Sequence, residues 1–422
     1  MREIIEKSFD SQVRDLQALI RIPSVSRGEP KEGMPYGEHV YNALIKAQEI
    51  AKGLGFEKVW DVERRCGVVE YGEGDELVAV MAHLDVVPEG TGWTYPPYGA
   101  EIHDRAMYGR GTADDKGAAV SALYALKESG AKMKRRVRIL LGCDEERGST
   151  GMERYREVEG EPDLAFTPDA TYPVVNSEMN ILHITFEKRY PCTVRCKAGT
   201  AGNVIPGQAA SEVPALTAKG KEGHASRPDH ADNALMKLVK AIAESDVPAA
   251  DKETFAGLVS VLYGFNHGEG LGVDFTDASG RLTLAPTILT AEETGVTIGF
   301  DIRYPASMTF EQLTGTIDER MGALGFAVKD RSNSLGHYIA PETELVSTLM
   351  DVYGELSGDR VSKPISIGGG TYAREFKNAV AVGVTQPGRP DKCHVANECI
   401  LLSEMLFNTR FMAESLKRLA AE

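Results

Sequence analysis

Four nearly continuous apolar runs stop abruptly in polar loops: Glu76 to Ala82, Val137 to Leu141, Leu164 to Thr167 and Ala379 to Thr385. Runs this short predict strands buried on both faces, as in a parallel sheet. Between them, Lys116 to Ser129 carries Val120, Leu123, Tyr124 and Lys127 along one face, which predicts a helix with Lys127 reaching outward. Strand alternating with helix predicts an α/β domain, a mostly parallel sheet flanked by helices.

From about Ile181 the pattern changes. A helix carrying Leu235, Leu238, Val239 and Ile242 follows Asp232 or Asn233 as N-cap, and a second begins at Thr309 with Gln312 placed for a capping box. Between them Val296 to Arg303 alternates strictly. With an early strand ahead of the first helix and Phe326 to Lys329 after the second, the order is strand, helix, two strands, helix, strand, the ferredoxin-like α+β arrangement. After about Leu335 come a helix over Glu342 to Leu356, the loop Gly368 to Gly370, a buried strand and a long last helix. The expected organisation is a discontinuous α/β domain, residues 1–180 and 336–422, interrupted by a smaller one, residues 181–335.

At 422 residues the chain exceeds one ordinary core, which agrees with two domains. The net charge of −15 disfavours a nucleic-acid partner, because phosphate binding needs a clustered positive surface. The densest basic stretch, Lys132 to Arg138, reads as a solvated lead-in to a strand. No apolar run approaches the roughly 20 residues of a membrane-spanning helix. Met1 to Ile20 lacks the uninterrupted apolar core of a signal peptide, and the six cysteines show no paired spacing. Reduced thiols and a cytoplasmic location are expected.

The strand ends are chemically loaded. One run leads into His83-Leu84-Asp85, another into Asp144-Glu145-Glu146, a third into Thr167-Pro168-Asp169, and the last through Pro387-Gly388 to His394. In open α/β sheets ligands bind beyond the carboxyl ends of strands. The loop Gly109 to Gly117 adds Asp114 and Asp115 at the start of a helix, where the dipole favours anions. Converging carboxylates repel one another unless cations neutralise them, so the pattern points to metal more readily than to a bare acid/base pair. Imidazole with carboxylate oxygen suits zinc, and equally manganese or cobalt.

These segments resemble a family of dinuclear metallopeptidases and amidohydrolases that includes peptidase V-type dipeptidases, carnosinases, aminoacylases and succinyl-diaminopimelate desuccinylases. The resemblance runs from Arg21-Ile22-Pro23-Ser24-Val25-Ser26 through Ala82 to Pro88, Gly109 to Gly117, Asp144 to Ser149, Thr167 to Ala170 and Gly368 to Arg374. It closes with Pro387 to Pro390 and His394 to Glu398. It implies a zinc-peptidase-like catalytic domain with an inserted lid, and two divalent ions, zinc first and manganese or cobalt as alternatives. His83 and Asp169 would hold one ion, Glu146 and His394 the other, and Asp114 would bridge both.

By the same resemblance Glu145 is the general base, and Asp85 accepts the second N–H of the His83 ring. If the segment is extended, Glu145 and Glu146 point opposite ways, one to water and one to metal. The peptide between Asp114 and Asp115 is expected to be cis. In Gly220 to Pro228, His224 would reach across the cleft to the developing oxyanion. Arg303, at the polar end of its strand, is a candidate partner for a peptide's terminal carboxylate, with Asn203 and Gly388 as further substrate contacts. Two positions depart from the family pattern, Ala82 where Gly is commoner and Val395 where Gln is often found; neither is a ligand.

In the resembling family, Asp at the position of Asp169 goes with peptidases acting beside a free amino terminus. The expected activity is therefore hydrolysis of short peptides, dipeptides above all, by a monomer or homodimer. The alternatives are an N-acyl amino acid amidohydrolase and a non-catalytic peptide-binding relative.

Overall fold

The computed structural model describes residues 2–26, 30–129, 132–390 and 392–421. The chain forms two compact units. One comprises the chain up to Asn176, Ile339–Ile365 and the segment from Thr371 onward; the other comprises Ser177–Tyr338 and Ser366–Gly370.

In the first unit, strands Arg136–Gly142, Leu77–His83, Leu164–Thr171 and Ala379–Thr385 lie side by side and parallel. Leu77–His83 is buried at every position, as expected of a central strand covered on both faces. Antiparallel strands extend both sides: Cys66–Tyr71 and Lys58–Val62 beyond Arg136–Gly142, and Val174–Glu178 beyond Ala379–Thr385. The sheet is thus mixed, with a parallel centre.

Helix Lys116–Ser129 is buried nearly all round, not along the single face expected, although Lys127 is exposed. The reason is its setting. Helices Arg2–Ile20 and Leu402–Ala420 pack on it, and Gln12 Nε2 donates both to Ser121 Oγ at 3.1 Å and to Thr409 Oγ1 at 2.7 Å. The basic stretch also departs from expectation. Arg138 is buried, donating to Glu70 at 2.8 Å, Tyr155 at 2.8 Å and Glu159 at 2.9 Å, so it belongs to the packing and not to a solvated face.

The second unit holds one antiparallel sheet. Its four strands Thr283–Glu292, Gly295–Tyr304, Asn180–Arg189 and Ala327–Ser334 are neighbours in that order. Helix Ala234–Glu244 precedes the first hairpin and Phe310–Ala323 follows it, which is the ferredoxin-like topology. Asn233 is the N-cap, accepting from the N–H groups of Leu235 and Met236, and Thr309 with Gln312 forms the capping box. Three strands not foreseen, Arg195–Ala198, Gln208–Val213 and Leu216–Lys219, widen the sheet beyond Thr283–Glu292, and a further helix spans Ala249–Leu262. Leu182, Ile184 and Phe186 share one buried core with Phe300 and Ile302 of the adjacent strand and Leu238 of the helix.

Candidate metal centre

His83 is the last residue of its strand, in register with Gly142 on the parallel neighbour. Beyond Gly142, the Asp144 carboxylate accepts from Thr150 Oγ1 at 2.6 Å and from the Gly151 N–H at 3.0 Å, turning the chain sharply. Glu145–Arg147 consequently form one turn of 3₁₀ helix, not the extended segment considered above. The Asp85 carboxylate fixes that turn, accepting the N–H of Glu145 at 3.0 Å and of Glu146 at 3.2 Å. The segment containing Ser24 packs beside the strand end, where Ser24 Oγ donates to the Leu84 carbonyl at 2.6 Å.

Asp114 is central to the cluster. Its Oδ1 lies 2.9 Å from His83 Nε2, and its Oδ2 lies 3.0 Å from His394 Nε2. The same His394 nitrogen is 3.0 Å from Glu146 Oε1, and His83 Nε2 is 3.7 Å from Asp169 Oδ2. Ligand atoms of His83, Asp114 and Glu146 lie within 4.8 Å of one another, as do those of His83, Glu145 and Asp169. Glu145 thus stands beside the donors, with its carboxylate in reach of the same space. The Asp114–Asp115 peptide is cis.

His83 Nδ1 donates to the backbone carbonyl of Asp85 at 2.9 Å, while the Asp85 carboxylate is 3.5 Å away. The expected role of Asp85 is therefore split between two groups. Its carbonyl receives the ring N–H, because the carboxylate is engaged by the two N–H groups of the following turn.

The electrostatics test whether metal fits. Burial pushes Glu145 up to about 8, with the negative charges of Glu146, Asp114 and Asp85 adding to the effect and His83 opposing it. Burial likewise raises Asp169 well above the carboxylate range, reinforced by Asp114 and Asp115. Burial opposes the charge on Asp114, yet hydrogen bonds from His394 and His83 hold it well below that range. Hydrogen bonds to Asp114 and Glu146 raise His394 to about 10. The side chains by themselves thus retain protons to supply positive charge that divalent cations would supply instead. Imidazole nitrogens and carboxylate oxygens at these separations are donors suited to zinc, manganese or cobalt.

The remaining residues singled out in the sequence divide between the units. Gly388 lies in the first, at a positive φ of 77° in an exposed turn. Asn203, His224 and Arg303 belong to the second. The Asn203 carbonyl accepts the Ala225 N–H at 2.9 Å, and Val204 pairs with His224 in a two-stranded ladder. His224 Nδ1 accepts the Ser226 N–H at 3.1 Å, which leaves the proton of the neutral ring on Nε2. Arg303 is buried, its fork set against Asp301 through two bonds of 2.7 Å, and its Nη1 donates to the Gly368 carbonyl at 2.5 Å. A side chain at Gly368 would press on Ser226, its Cβ falling 2.8 Å from that of Ser226, so the close approach requires glycine.

Sequence reasoning missed Asp301, fully buried between Arg303 and His183, although its position two residues before Arg303 on an alternating strand put both on one face. Glu398 likewise carries no signal of its own in the sequence beyond closing the segment His394 to Glu398.

Comparison with known proteins finds relatives along most of the chain. The model of peptidase family M20/M25/M40 matches residues 79–418. The Bacillus subtilis (strain 168) protein "Putative dipeptidase YtjP" is 32% identical, with 99% of each chain covered. The "Beta-Ala-Xaa dipeptidase" of Lactobacillus delbrueckii subsp. lactis is 29% identical, covering 100% of this chain and 98% of its own. Among solved structures, the dipeptidase Dug1p of Saccharomyces cerevisiae superposes with a TM-score of 0.62 at 16% identity, covering 99% of this chain and 97% of its own. That last likeness is one of fold.

Proposed function

The chain belongs to peptidase family M20/M25/M40, and on that premise we propose that this metallopeptidase cleaves dipeptides bearing a free amino terminus. One observation carries the reading: two imidazoles from distant parts of the chain, His83 and His394, each face one oxygen of the same Asp114 carboxylate. Relatives named as dipeptidases along the full length of the chain support the choice of substrate.

In this reading His83 and Asp169 would hold one divalent ion and Glu146 and His394 the other, with Asp114 shared between them. When bound, such a pair polarises the scissile carbonyl and lowers the pKa of the attacking water. Glu145, beside His83 and Asp169, would take a proton from the attacking water and pass it to the leaving amine. Asp85 keeps Glu145 and Glu146 in their turn, and the Asp85 carbonyl keeps the His83 ring oriented with Nε2 toward Asp114.

The proposal extends to the second unit as the lid of the enzyme. His224, with its proton on Nε2, donates to the carbonyl oxygen as it gains charge. Arg303 offers the terminal carboxylate of the substrate the N–H groups that Asp301 and Gly368 leave to it, with Asn203 and Gly388 completing the contacts. Zinc is the first choice of metal and the cytoplasm the proposed location, supported by six free thiols.

The test is metal analysis and a substrate screen on protein stripped with chelator and reconstituted with zinc, manganese or cobalt. Two equivalents of metal and cleavage of free-amine dipeptides are expected. Cleavage of N-acetyl or N-succinyl amino acids with no dipeptide turnover would assign the protein to the amidohydrolases instead.

A further inference from the structure

The chain has a fully buried acid outside the proposed ligand set, Glu398, four positions after His394. Its Oε1 accepts three backbone N–H groups from one loop, those of Gly111 at 2.9 Å, Ala113 at 3.0 Å and Asp114 at 3.2 Å. Its Oε2 accepts Arg110 Nη1 at 2.6 Å, and its own carbonyl accepts the Gly109 N–H at 3.0 Å. We propose that Glu398 is a positioning residue for Asp114, holding the shared carboxylate in its two-sided orientation before any ion arrives.

Three donors converging on one oxygen leave the backbone of Asp114 little freedom to translate or turn, because moving it breaks a shared set of buried bonds. The anchor is itself anchored. Arg110 is buried, donates through Nη2 to the Pro88 carbonyl at 3.2 Å, and lies 5.4 Å from the centre of the Trp93 ring. Its positive charge offsets that of Glu398, so the cradle adds no net negative charge beside an already acidic cluster.

The placement of Glu398 also joins two ligands. The short segment His394 to Glu398 fixes the backbone of Asp114 at one end and presents at the other the imidazole that meets Asp114 Oδ2. A buried ion pair serving stability alone has no need to gather the N–H groups of the loop that leads into Asp114.

The inference rests on the metal-binding reading above, and zinc alone is the probe. Zinc titration by calorimetry or chelator competition is compared for wild type, Glu398→Asp and Glu398→Gln, alongside melting of the chelator-stripped proteins. Glu398→Asp keeps the charge but withdraws the carboxylate from the loop, and is expected to weaken at least one zinc site about 10- to 100-fold. Glu398→Gln keeps an acceptor for the loop but turns an amide N–H toward Arg110 and leaves that buried cation uncompensated, so it too is expected to bind zinc more weakly than wild type.

A lowered melting temperature with undiminished zinc affinity in Glu398→Asp would overturn the proposal. A variant-free arm covers failure to fold. In stripped wild type, the amides of Gly111, Ala113 and Asp114 should resist hydrogen exchange as well as in the zinc-loaded protein, and free exchange before zinc is added counts against the cradle. If wild type itself takes up no pair of ions, the reading in the preceding subsection fails. Normal uptake by wild type and Glu398→Asp alike removes only this inference.

Discussion

The carboxylate of Asp85 accepts the backbone N–H of Glu145 at 3.0 Å, so an acid at the end of one strand sets the position of an acid beyond the next. The His83 ring does not depend on that carboxylate, since its Nδ1–H goes to the Asp85 carbonyl. The two duties can therefore be separated by substitution.

In Asp85→Ala the backbone carbonyl persists while the turn carrying Glu145 and Glu146 loses its acceptor. Turnover should fall about 10- to 100-fold, the usual scale for groups that orient metal ligands. The metal on the His83 side should be retained better than the metal on the Glu146 side, which metal analysis and steady-state kinetics will show. Equal loss of both ions would mean that Asp85 acts chiefly through the imidazole.

Glu145→Gln removes the proposed proton acceptor and changes little in shape. A loss of about two to four orders of magnitude in kcat is expected, the range associated with general acid–base catalysis. Metal content should stay near two equivalents. Unchanged turnover would place the base elsewhere.

For His224→Ala the expected reduction in kcat is about two to three orders of magnitude, as for loss of one oxyanion donor. KM should move far less. A change confined to KM would identify His224 as a substrate contact without a share in the chemistry.

Burial opposes ionisation of Asp301, but the hydrogen bonds from His183 and Arg303 win and hold its carboxyl below the usual range. A depressed carboxyl contributes stability above its unfolded pKa, about 3.9, and loses it as the pH falls through the folded value. Asp301→Asn should therefore melt below wild type at neutral pH, and the gap should close as the pH drops under about 3.9. A gap independent of pH would show that shape, not charge, is what Asp301 supplies.

The parts of the fold legible in sequence were those whose burial leaves a continuous signature. Ala379–Thr385 has the bounds its apolar run suggested, because a central parallel strand excludes polar residues from both faces. Leu216–Lys219 escaped notice because it is short, half exposed and at the edge of its sheet, where polar residues are tolerated. Helix Lys116–Ser129 was legible as a helix but not as a buried one, since its small residues, Ala118, Ala119, Ala122 and Ala125, mark close packing only once the neighbouring helices are in place.

At the centre, His83 and His394 are legible because each lies in a segment that resembles the family, Ala82 to Pro88 and His394 to Glu398. The role of Glu398 is not, because nothing in its spacing reveals a loop nearly three hundred residues earlier whose N–H groups need an acceptor. The split role of Asp85 was hidden for a related reason: a pattern of side chains says nothing about a carbonyl.

His394 reaches Asp114 and Glu146 from a point far later in the chain than any other proposed ligand. During synthesis, then, the earlier ligands emerge well before the residue that completes their set. On the proposed ligand set, a chain stopping short of residue 394 carries His83, Asp114, Glu146 and Asp169 but lacks the imidazole that would close the second site.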